Sequence, residues 1–407
     1  MSYAGHQLRA DRRKREIRVR NDEALEPPPT SRSQSPHRNI RNRLYEKEAE
    51  ANLLNFVDFL SDEDVKVERN IPLNDAKLVG LGATMEVYST TWKGQQVALK
   101  RMRRDRMPNR SANLPHEHDT AFAVEAKGFS NDVKGMMQEI LVMSREPLST
   151  HRNIVHLLAV SWDIDEEYWA INLFPPLMVV ELANTDTPTL HAFYMNRSDS
   201  KSFSTDVGFI ADIADGLSAL HMCGIIHGDL KPENILLFKD SETTGGLIAK
   251  LADFGFANVE FLKESIRGGS EEWAAPECIR GCPEEIMTAM QELDIAEFAC
   301  DVYSFGLVAM FVALDGVQSL ATQEFGPQDT TTVDCEKAMR ELKFTDQAKT
   351  KVEQQACAFY QELDGQESES AKGLCECYVS LIHDTLQSIP TKRVISLSGM
   401  RLRLTGR

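Results

Sequence analysis

The chain has 407 residues, a hydrophobic content of 42% and a net charge of −17 at pH 7. This length is enough for one large domain with its own core, plus extensions. The acidity argues against nucleic acid as the main partner, because contact with phosphates needs a positive surface. The sequence contains no apolar run of about 18 residues, so we expect no membrane-spanning helix and no membrane partner.

The eight cysteines are scattered along the chain. They do not show the dense, even spacing of a disulfide framework. Cys375 and Cys377 lack a second pair at the spacing of a zinc site. We therefore predict reduced thiols and a cytoplasmic protein.

Charge is unevenly distributed between the N-terminal segment and the remainder. Residues 1–47 contain 12 Lys/Arg and 6 Asp/Glu, a net of +6, so residues 48–407 carry −23 to give the total of −17. The run Arg12-Arg13-Lys14-Arg15 and the Pro/Ser-rich stretch that follows predict a basic disordered arm over residues 1–44. The arm is a candidate nuclear import signal, and the alternative is a solvated tail without a function of its own. Apolar residues at helical spacing then predict a helical lead-in over residues 45–74.

Residues 75–182 are predicted to form a small domain rich in strands. Three strands are expected between Lys77 and Met102, and Lys93-Gly94 is suited to a tight hairpin turn between the last two. The polar residues 103–131 predict an insertion loop, and 133–144 predict a helix. Two further strands, over 154–162 and 177–182, complete the sheet.

Residues 183–400 are predicted to form a larger, mainly helical domain, followed by a short basic tail over 401–407. Its first long helix spans Asp206 to Met222, where Ile210, Ile213, Leu217 and Leu220 recur on one face. A hairpin is expected from residues 234–238 and 247–251. Most of the chain beyond Gly255 is predicted to be helical.

The most informative motif is I-I-H-G-D-L-K-P-E-N-I-L-L, from Ile225 to Leu237. It places Asp229 and Asn234 five residues apart, with Lys231 between them. Asp253 follows nineteen residues after Asn234 and begins the triplet D-F-G. The carboxylate of Asp253 and the amide of Asn234 supply oxygen ligands, which Mg²⁺ prefers.

A second group of residues lies upstream in the predicted sheet. Gly80 and Gly82 form a G-x-G turn followed by Val87, and glycines allow a backbone to lie close to phosphates. Lys100 follows in V-A-L-K on a later strand, and Glu139 lies on the helix after it. A G-x-G turn alone is also typical of an ordinary strand connection. The presence of Lys100 on a later strand is what favours a phosphate-binding turn.

Together these motifs resemble the eukaryotic protein kinase family, of the serine/threonine-specific type. The resemblance runs from about Lys77 to Ile395. It implies an α+β, bilobal protein kinase fold, with a small, mainly β N-lobe that carries one key helix and a larger, mainly α C-lobe. An oxidoreductase is disfavoured, because its G-x-G would open a helix, whereas strand-like sequence follows the glycines here.

The resemblance implies ATP and Mg²⁺ as cofactors and protein substrates that present serine or threonine. Lys100 would contact the α- and β-phosphates and be held by Glu139. Asp229 would orient the attacking hydroxyl, and Lys231 would offset the charge of the transferred group. The metal ligands would be Asn234 and Asp253. The remaining nucleotide-binding positions would be Gly80, Gly82, Val87, Ala98, Leu236 and the hinge residues Glu181 and Ala183.

Several further positions match the family in order along the chain. Asp301 would support the catalytic loop from a central helix. Ser270 would help to orient Asp229 and Lys231. Glu277 and Arg393 would form a buried ion pair that fixes the C-lobe.

Two residues depart from the family pattern. Met85 replaces the third glycine of the phosphate-covering loop, and Gly228 replaces the arginine that most members carry before the catalytic aspartate. These departures leave open an alternative, a pseudokinase that acts as a nucleotide-binding signalling scaffold. The segments 278–300 and 318–371 match the family poorly, and the sequence assigns them no role.

Overall fold

The computed structural model describes a subset of the chain: residues 60, 65–69, 71, 75–103, 120–162, 177–196, 203–243, 245–259, 269–291, 298–314, 316, 340–345, 350, 369–393 and 396–405. Residues Met1–Asn42 and Arg43–Arg407 are two separate units, and all the described residues belong to the second. The predicted basic arm lies outside the described residues. So does the predicted helix of the lead-in, apart from Leu60.

A six-stranded sheet forms the N-lobe. Its strands are β1 (Val67–Arg69), β2 (Lys77–Leu81), β3 (Met85–Trp92), β4 (Gln95–Met102), β5 (Leu157–Trp162) and β6 (Leu177–Glu181). Their order across the sheet is β1-β5-β6-β4-β3-β2. The central strands are rich in apolar residues, and Val97, Leu99 and Val179 are buried in one cluster. Lys93 and Gly94 turn between β3 and β4 with positive φ angles of 51° and 80°, as the sequence predicted.

Strand β1 differs from the predicted helical lead-in over 45–74. Val67–Arg69 pairs in parallel with Val160–Trp162 at the edge of the sheet. Three residues are too few to show an alternating pattern in a sequence. Their partner lies about 90 residues away, so only the tertiary fold selects this strand.

The key helix of the N-lobe, α1, spans Thr120–Ser144. The prediction of a loop over 103–131 is therefore wrong for residues 120–131, while 104–119 lie outside the described residues. Ala121, Ala123 and Ala126 favour a helix, and continuity with the buried segment after Val133 extends it toward the N-terminus. Gly135 lets α1 approach the D-F-G turn, because a Cβ there would lie 3.2 Å from the carbonyl oxygen of Gly255.

The C-lobe is mainly helical. Its helices are α2 (Leu190–Met195), α3 (Phe203–Met222), α4 (Glu284–Gln291), α5 (Ala299–Ala313), α6 (Glu369–Thr385) and α7 (Leu397–Thr405). Every residue of α5 is buried, as expected for a helix that is apolar on all sides. Helix α3 packs against α5 and α7. No helix within the described ranges has the length and apolarity needed to span a membrane.

Helix α7 also changes the predicted C-terminal boundary. The sequence predicted a short tail over 401–407, but α7 continues to Thr405. Arg401 forms an ion pair with Asp215 of α3, with 3.0 Å between Nε and Oδ2. Residues 401–405 therefore belong to the C-lobe.

Two short sheets position the loops of the site. Strands β7 (Ile225–Ile226) and β10 (Asn258–Val259) pair with each other, and β8 (Ile235–Lys239) pairs with β9 (Leu247–Leu251). The last pair confirms the predicted hairpin. The motif that contains Asp229 thus runs from β7 to β8, with a strand at each end.

Candidate active site

Asp301 of α5 holds the loop between β7 and β8 through hydrogen bonds to its carboxylate. The backbone N–H groups of His227 and Gly228 donate to its two carboxylate oxygens at 2.7 and 3.0 Å. His221 Nε2 lies 2.9 Å from Asp301 Oδ2. Burial opposes the charge of Asp301, but these hydrogen bonds and the two histidines together lower its pKa. Asp301 is therefore an ionised anchor for the loop, in the place that the sequence predicted.

Asp229 is buried at the centre of this loop, with 5% of its surface exposed. Its Oδ1 accepts a hydrogen bond from the backbone N–H of Ser270 at 2.9 Å. Its Oδ2 accepts from Lys231 Nζ at 2.7 Å and from Asn234 Nδ2 at 3.1 Å. Lys231 Nζ also donates to Ser270 Oγ at 2.9 Å. The carboxylate is thus fixed in direction, which suits a group that orients a hydroxyl.

Gly228 has a structural reason to be glycine. Its φ is +77°, and a Cβ built on it would lie 2.6 Å from the carbonyl oxygen of Phe256. Such a φ is strained for other residues, and such a contact forces the backbone to shift. Position 228 therefore does not accept an arginine in this backbone conformation, because the segment after the D-F-G turn lies too close to it.

Lys100 joins the two lobes at the other side of the site. Its Nζ donates to both carboxylate oxygens of Glu139 at 2.8 Å and to Asp253 Oδ1 at 2.9 Å. Glu139 comes from α1 of the N-lobe, and Asp253 comes from the D-F-G turn. Asp253 adopts the left-handed conformation at φ 63° and ψ 67°, which is uncommon for aspartate. Such backbone conformations cluster at functional sites.

The charges of this triad stabilise one another. Burial opposes the ammonium of Lys100, but the attraction of Asp253 and Glu139 outweighs it and raises the pKa of Lys100. The charge of Lys100 in turn lowers the pKa of Asp253. At neutral pH the site therefore contains a cation held between two acidic side chains.

The predicted metal ligands fit a hard cation. Asn234 donates through its amide nitrogen to the backbone oxygen of Asp229 at 2.8 Å, so its amide oxygen is the atom that suits a cation. The side chain of Asp253 is 44% exposed although its Oδ1 contacts Lys100. Oxygen donors of this kind are those that Mg²⁺ selects. The donor set is consistent with magnesium held together with phosphates rather than in an all-protein cage.

The predicted nucleotide-lining residues come together through the strand register. Gly80 faces Val87 across β2 and β3, and Val87 faces Lys100 across β3 and β4. Ala98 faces Val180 across β4 and β6. The backbone N–H of Gly82 donates to the carbonyl oxygen of Met85 at 2.8 Å. Met85 therefore closes the glycine turn through its backbone carbonyl, and this contact does not depend on its side chain.

The remaining lining positions lie at the junction with the C-lobe. Glu181 ends β6, and its carboxylate binds Lys250 Nζ at 2.7 and 2.8 Å, so its side chain is held within the protein. Ala183 lies two residues later and is partly buried. Leu236 is partly buried on β8, where it bridges to Thr189.

Sequence reasoning missed one element next to the site. Lys343 and Arg340, from a segment to which the sequence assigned no role, contact residues 271–274 directly after Ser270. An isolated lysine carries no motif, and its acceptors are backbone carbonyls. The only signal in the sequence was a lysine between apolar neighbours in E-L-K-F.

The protein kinase domain family model matches residues 73–398 of this chain. That range covers most of the 407 residues and includes both lobes. The chain belongs to the protein kinase family. The predicted α+β, bilobal kinase fold is thereby confirmed.

Several named protein kinases match a little under half of this chain. Serine/threonine-protein kinase ksp1 of Schizosaccharomyces pombe is 27% identical over 206 residues, which cover 49% of this chain and 38% of that protein. Serine/threonine-protein kinase unc-51 of Caenorhabditis elegans is 28% identical over 186 residues, covering 44% and 20%. The calcium and calcium/calmodulin-dependent serine/threonine-protein kinase DMI-3 of Medicago truncatula is 31% identical over 195 residues, covering 45% and 34%. The chain therefore spans less than two fifths of the length of these relatives.

Proposed function

We propose that this chain is an active serine/threonine protein kinase. The observation that carries the proposal is the triad at the lobe junction, where Lys100 Nζ contacts Glu139 at 2.8 Å and Asp253 at 2.9 Å. These contacts join residues 39 and 153 positions apart in the sequence. They bring together the lysine that we propose to hold phosphate and the carboxylate that we propose to hold the metal, and phosphoryl transfer needs both groups at one place.

The residues divide the chemistry between them. MgATP, when bound, supplies the phosphoryl group and the metal charge that stabilises its transfer. Lys100 would hold phosphate oxygens, and Asn234 and Asp253 would offer oxygen ligands to the metal. Asp229 would orient the substrate hydroxyl and accept its proton. Lys231, which already contacts Asp229, would place a positive charge beside the reacting group.

The proposed substrate is a serine or threonine hydroxyl of a protein. Lys231 bonds both Asp229 and the hydroxyl of Ser270, so three groups converge on one point of the loop. The named relatives are all serine/threonine-protein kinases. The names of these relatives support this class of acceptor.

The test uses purified full-length protein with labelled ATP, Mg²⁺ and a generic basic protein as acceptor. We expect label on serine or threonine, and we expect Asp229→Asn to lower the rate by a factor of about 10² to 10⁴. Asp75→Asn, at an exposed carboxylate, is the matched control and should retain the wild-type rate. If wild type and Asp229→Asn give the same background while both bind nucleotide, the scaffold alternative is correct.

A further inference from the structure

Lys343 is a buried lysine that the proposed chemistry does not use. Residues 340–343 are helical, and Lys343 is 1% exposed. Lysine is almost never fully buried without partners, because burying an ammonium is costly. Its partners therefore indicate what it does.

Three backbone carbonyls surround the ammonium of Lys343. Nζ lies 2.9 Å from the oxygen of Glu271, 2.6 Å from that of Glu272 and 2.8 Å from that of Ala274. An ammonium has three N–H donors and no acceptor, so these three oxygens use all of them. Arg340, one helical turn earlier, adds a contact of 2.7 Å between its Nη2 and Glu271 Oε2.

The carbonyls that bind Lys343 lie directly after Ser270. Ser270 itself contacts the catalytic loop twice, through its N–H to Asp229 and through its hydroxyl to Lys231, both at 2.9 Å. The N–H groups of Trp273 and Ala274 bond back to the carbonyl oxygen of Ser270 at 2.9 and 3.0 Å. One short turn is therefore held by the catalytic loop at its start and by Lys343 along its carbonyls.

We propose that Lys343 is a positioning residue for phosphoryl transfer, whose ammonium fixes the turn 271–274 and so keeps Ser270 against Asp229 and Lys231. This inference rests on the proposed kinase function. Lys343 does not touch the reacting groups. It acts through the turn, and a small displacement of catalytic groups is enough to slow a reaction greatly.

The surroundings of Lys343 make its charge sensitive to pH. Among the described residues, the charged and titratable groups around it are Glu271, Glu272, Glu277, Cys278, Tyr303, Arg340 and, on the other contact of the Tyr303 ring, Arg393. Burial lowers the pKa of Lys343 to about 7, against the attraction of the acidic groups. A neutral amine has only two N–H donors, so deprotonation leaves one carbonyl without its hydrogen bond.

The decisive variant is Lys343→Met, which keeps the length of the side chain and removes the ammonium. We expect kcat to fall by about 10- to 100-fold at pH 6.5, with the Kd for MgATP unchanged. The matched control is Lys239→Met, an exposed lysine on β8, which should retain the wild-type kcat. A Lys343→Met enzyme with wild-type kcat would overturn the proposal.

Two further readouts separate positioning from a merely structural role. Wild-type kcat should decline as the pH rises above about 7, and Lys343→Met should lack this decline. In hydrogen exchange, the amides of Trp273 and Ala274 should exchange at least tenfold faster in Lys343→Met than in wild type. Unchanged exchange at both amides contradicts the proposal.

These measurements remain decisive if Lys343→Met does not fold or if the protein is not a kinase. In the first case wild type alone is measured, and amides of Trp273 and Ala274 that exchange as fast as unprotected backbone amides reject the proposal. In the second case wild type transfers no phosphate and the proposed function fails. The exchange of Trp273 and Ala274 then decides by itself whether Lys343 holds the turn.

Discussion

Two buried ion pairs in this molecule use similar chemistry in different surroundings. The side chains of Arg393 and Glu277 in the C-lobe are both 0% exposed, with 2.8 Å between Nη2 and Oε2. The guanidinium also donates to the backbone oxygens of Gln387 at 2.8 Å, Ala299 at 2.9 Å and Ser388 at 3.2 Å. Both side chains are therefore closed off from solvent, as expected of a structural element. The structure thus contains the pair that the sequence predicted.

The pair at Lys100 is built differently. Lys100 and Glu139 are 13% and 5% exposed, but the second acid, Asp253, is 44% exposed. One carboxylate of the triad therefore remains accessible to a ligand. The difference teaches that burial alone does not identify a site. A charged cluster with one solvent-accessible side chain is a candidate catalytic or binding site, whereas a fully buried ion pair stabilises the fold.

The largest expected effect is on stability and comes from breaking the buried pair of Arg393 and Glu277. Arg393→Met should lower the free energy of unfolding by about 3 to 5 kcal/mol, because Glu277 would remain buried without a partner. Urea unfolding followed by circular dichroism measures this. The double variant Arg393→Met/Glu277→Gln should recover part of the loss, since it removes the unpaired charge. A single variant as stable as wild type would show that the pair is not structural.

Breaking the contacts of Lys100 with Glu139 and Asp253 should instead lower the rate of phosphoryl transfer. Lys100→Met should lower kcat by about 10² to 10³, while the midpoint of thermal unfolding shifts much less than in Arg393→Met. Asp253 is exposed enough to be solvated, and burial already raises the pKa of Glu139, so it can take up a proton. Calorimetry and a kinase assay on the same preparations compare the two variants. Equal losses of stability in both would remove the distinction between the pairs.

A further carboxylate, that of Asp212, sharpens the comparison because it is held mainly by neutral groups. Ala249 N–H donates to its Oδ2 at 3.0 Å, and burial raises its pKa to about 6. Between the unfolded value of 3.8 and about 6 the folded state binds more protons than the unfolded chain. The contribution of Asp212 to stability therefore falls as the pH rises through this window.

Asp212→Asn should remove the pH-dependent contribution of this carboxyl group to the free energy of unfolding. Relative to wild type, the variant should gain about 1 to 2 kcal/mol in free energy of unfolding between pH 4 and pH 6.5. Chemical denaturation at several pH values measures the gain, with Asp75→Asn as the exposed control. A difference between variant and wild type that does not change with pH would refute the assignment.

The sequence predicted the parts of the site that lie in contiguous motifs. Asp229, Asn234 and Asp253 have fixed spacings because one loop and one turn hold them. Lys100 followed from its strand and Glu139 from its helix. The structure brings Lys100 into contact with Glu139 and Asp253, and Asn234 into contact with Asp229, while the roles of these residues stay a prediction.

The parts that sequence reasoning missed depend on tertiary contacts. Strand β1 consists of three residues whose partner, β5, is distant in the chain, so no local pattern marks it. Helix α1 begins at Thr120 within a polar stretch that resembled a loop. Lys343 binds backbone carbonyls, and a sequence carries no record of which carbonyls a lysine meets.

Gly228 limits how this chain could change over evolutionary time. Its positive φ and the carbonyl oxygen of Phe256 leave no room for a Cβ. A single substitution to arginine would therefore displace the backbone of this loop or of Phe256. An arginine before Asp229 thus requires a second, compensating change near Phe256, and the two changes would have to occur together.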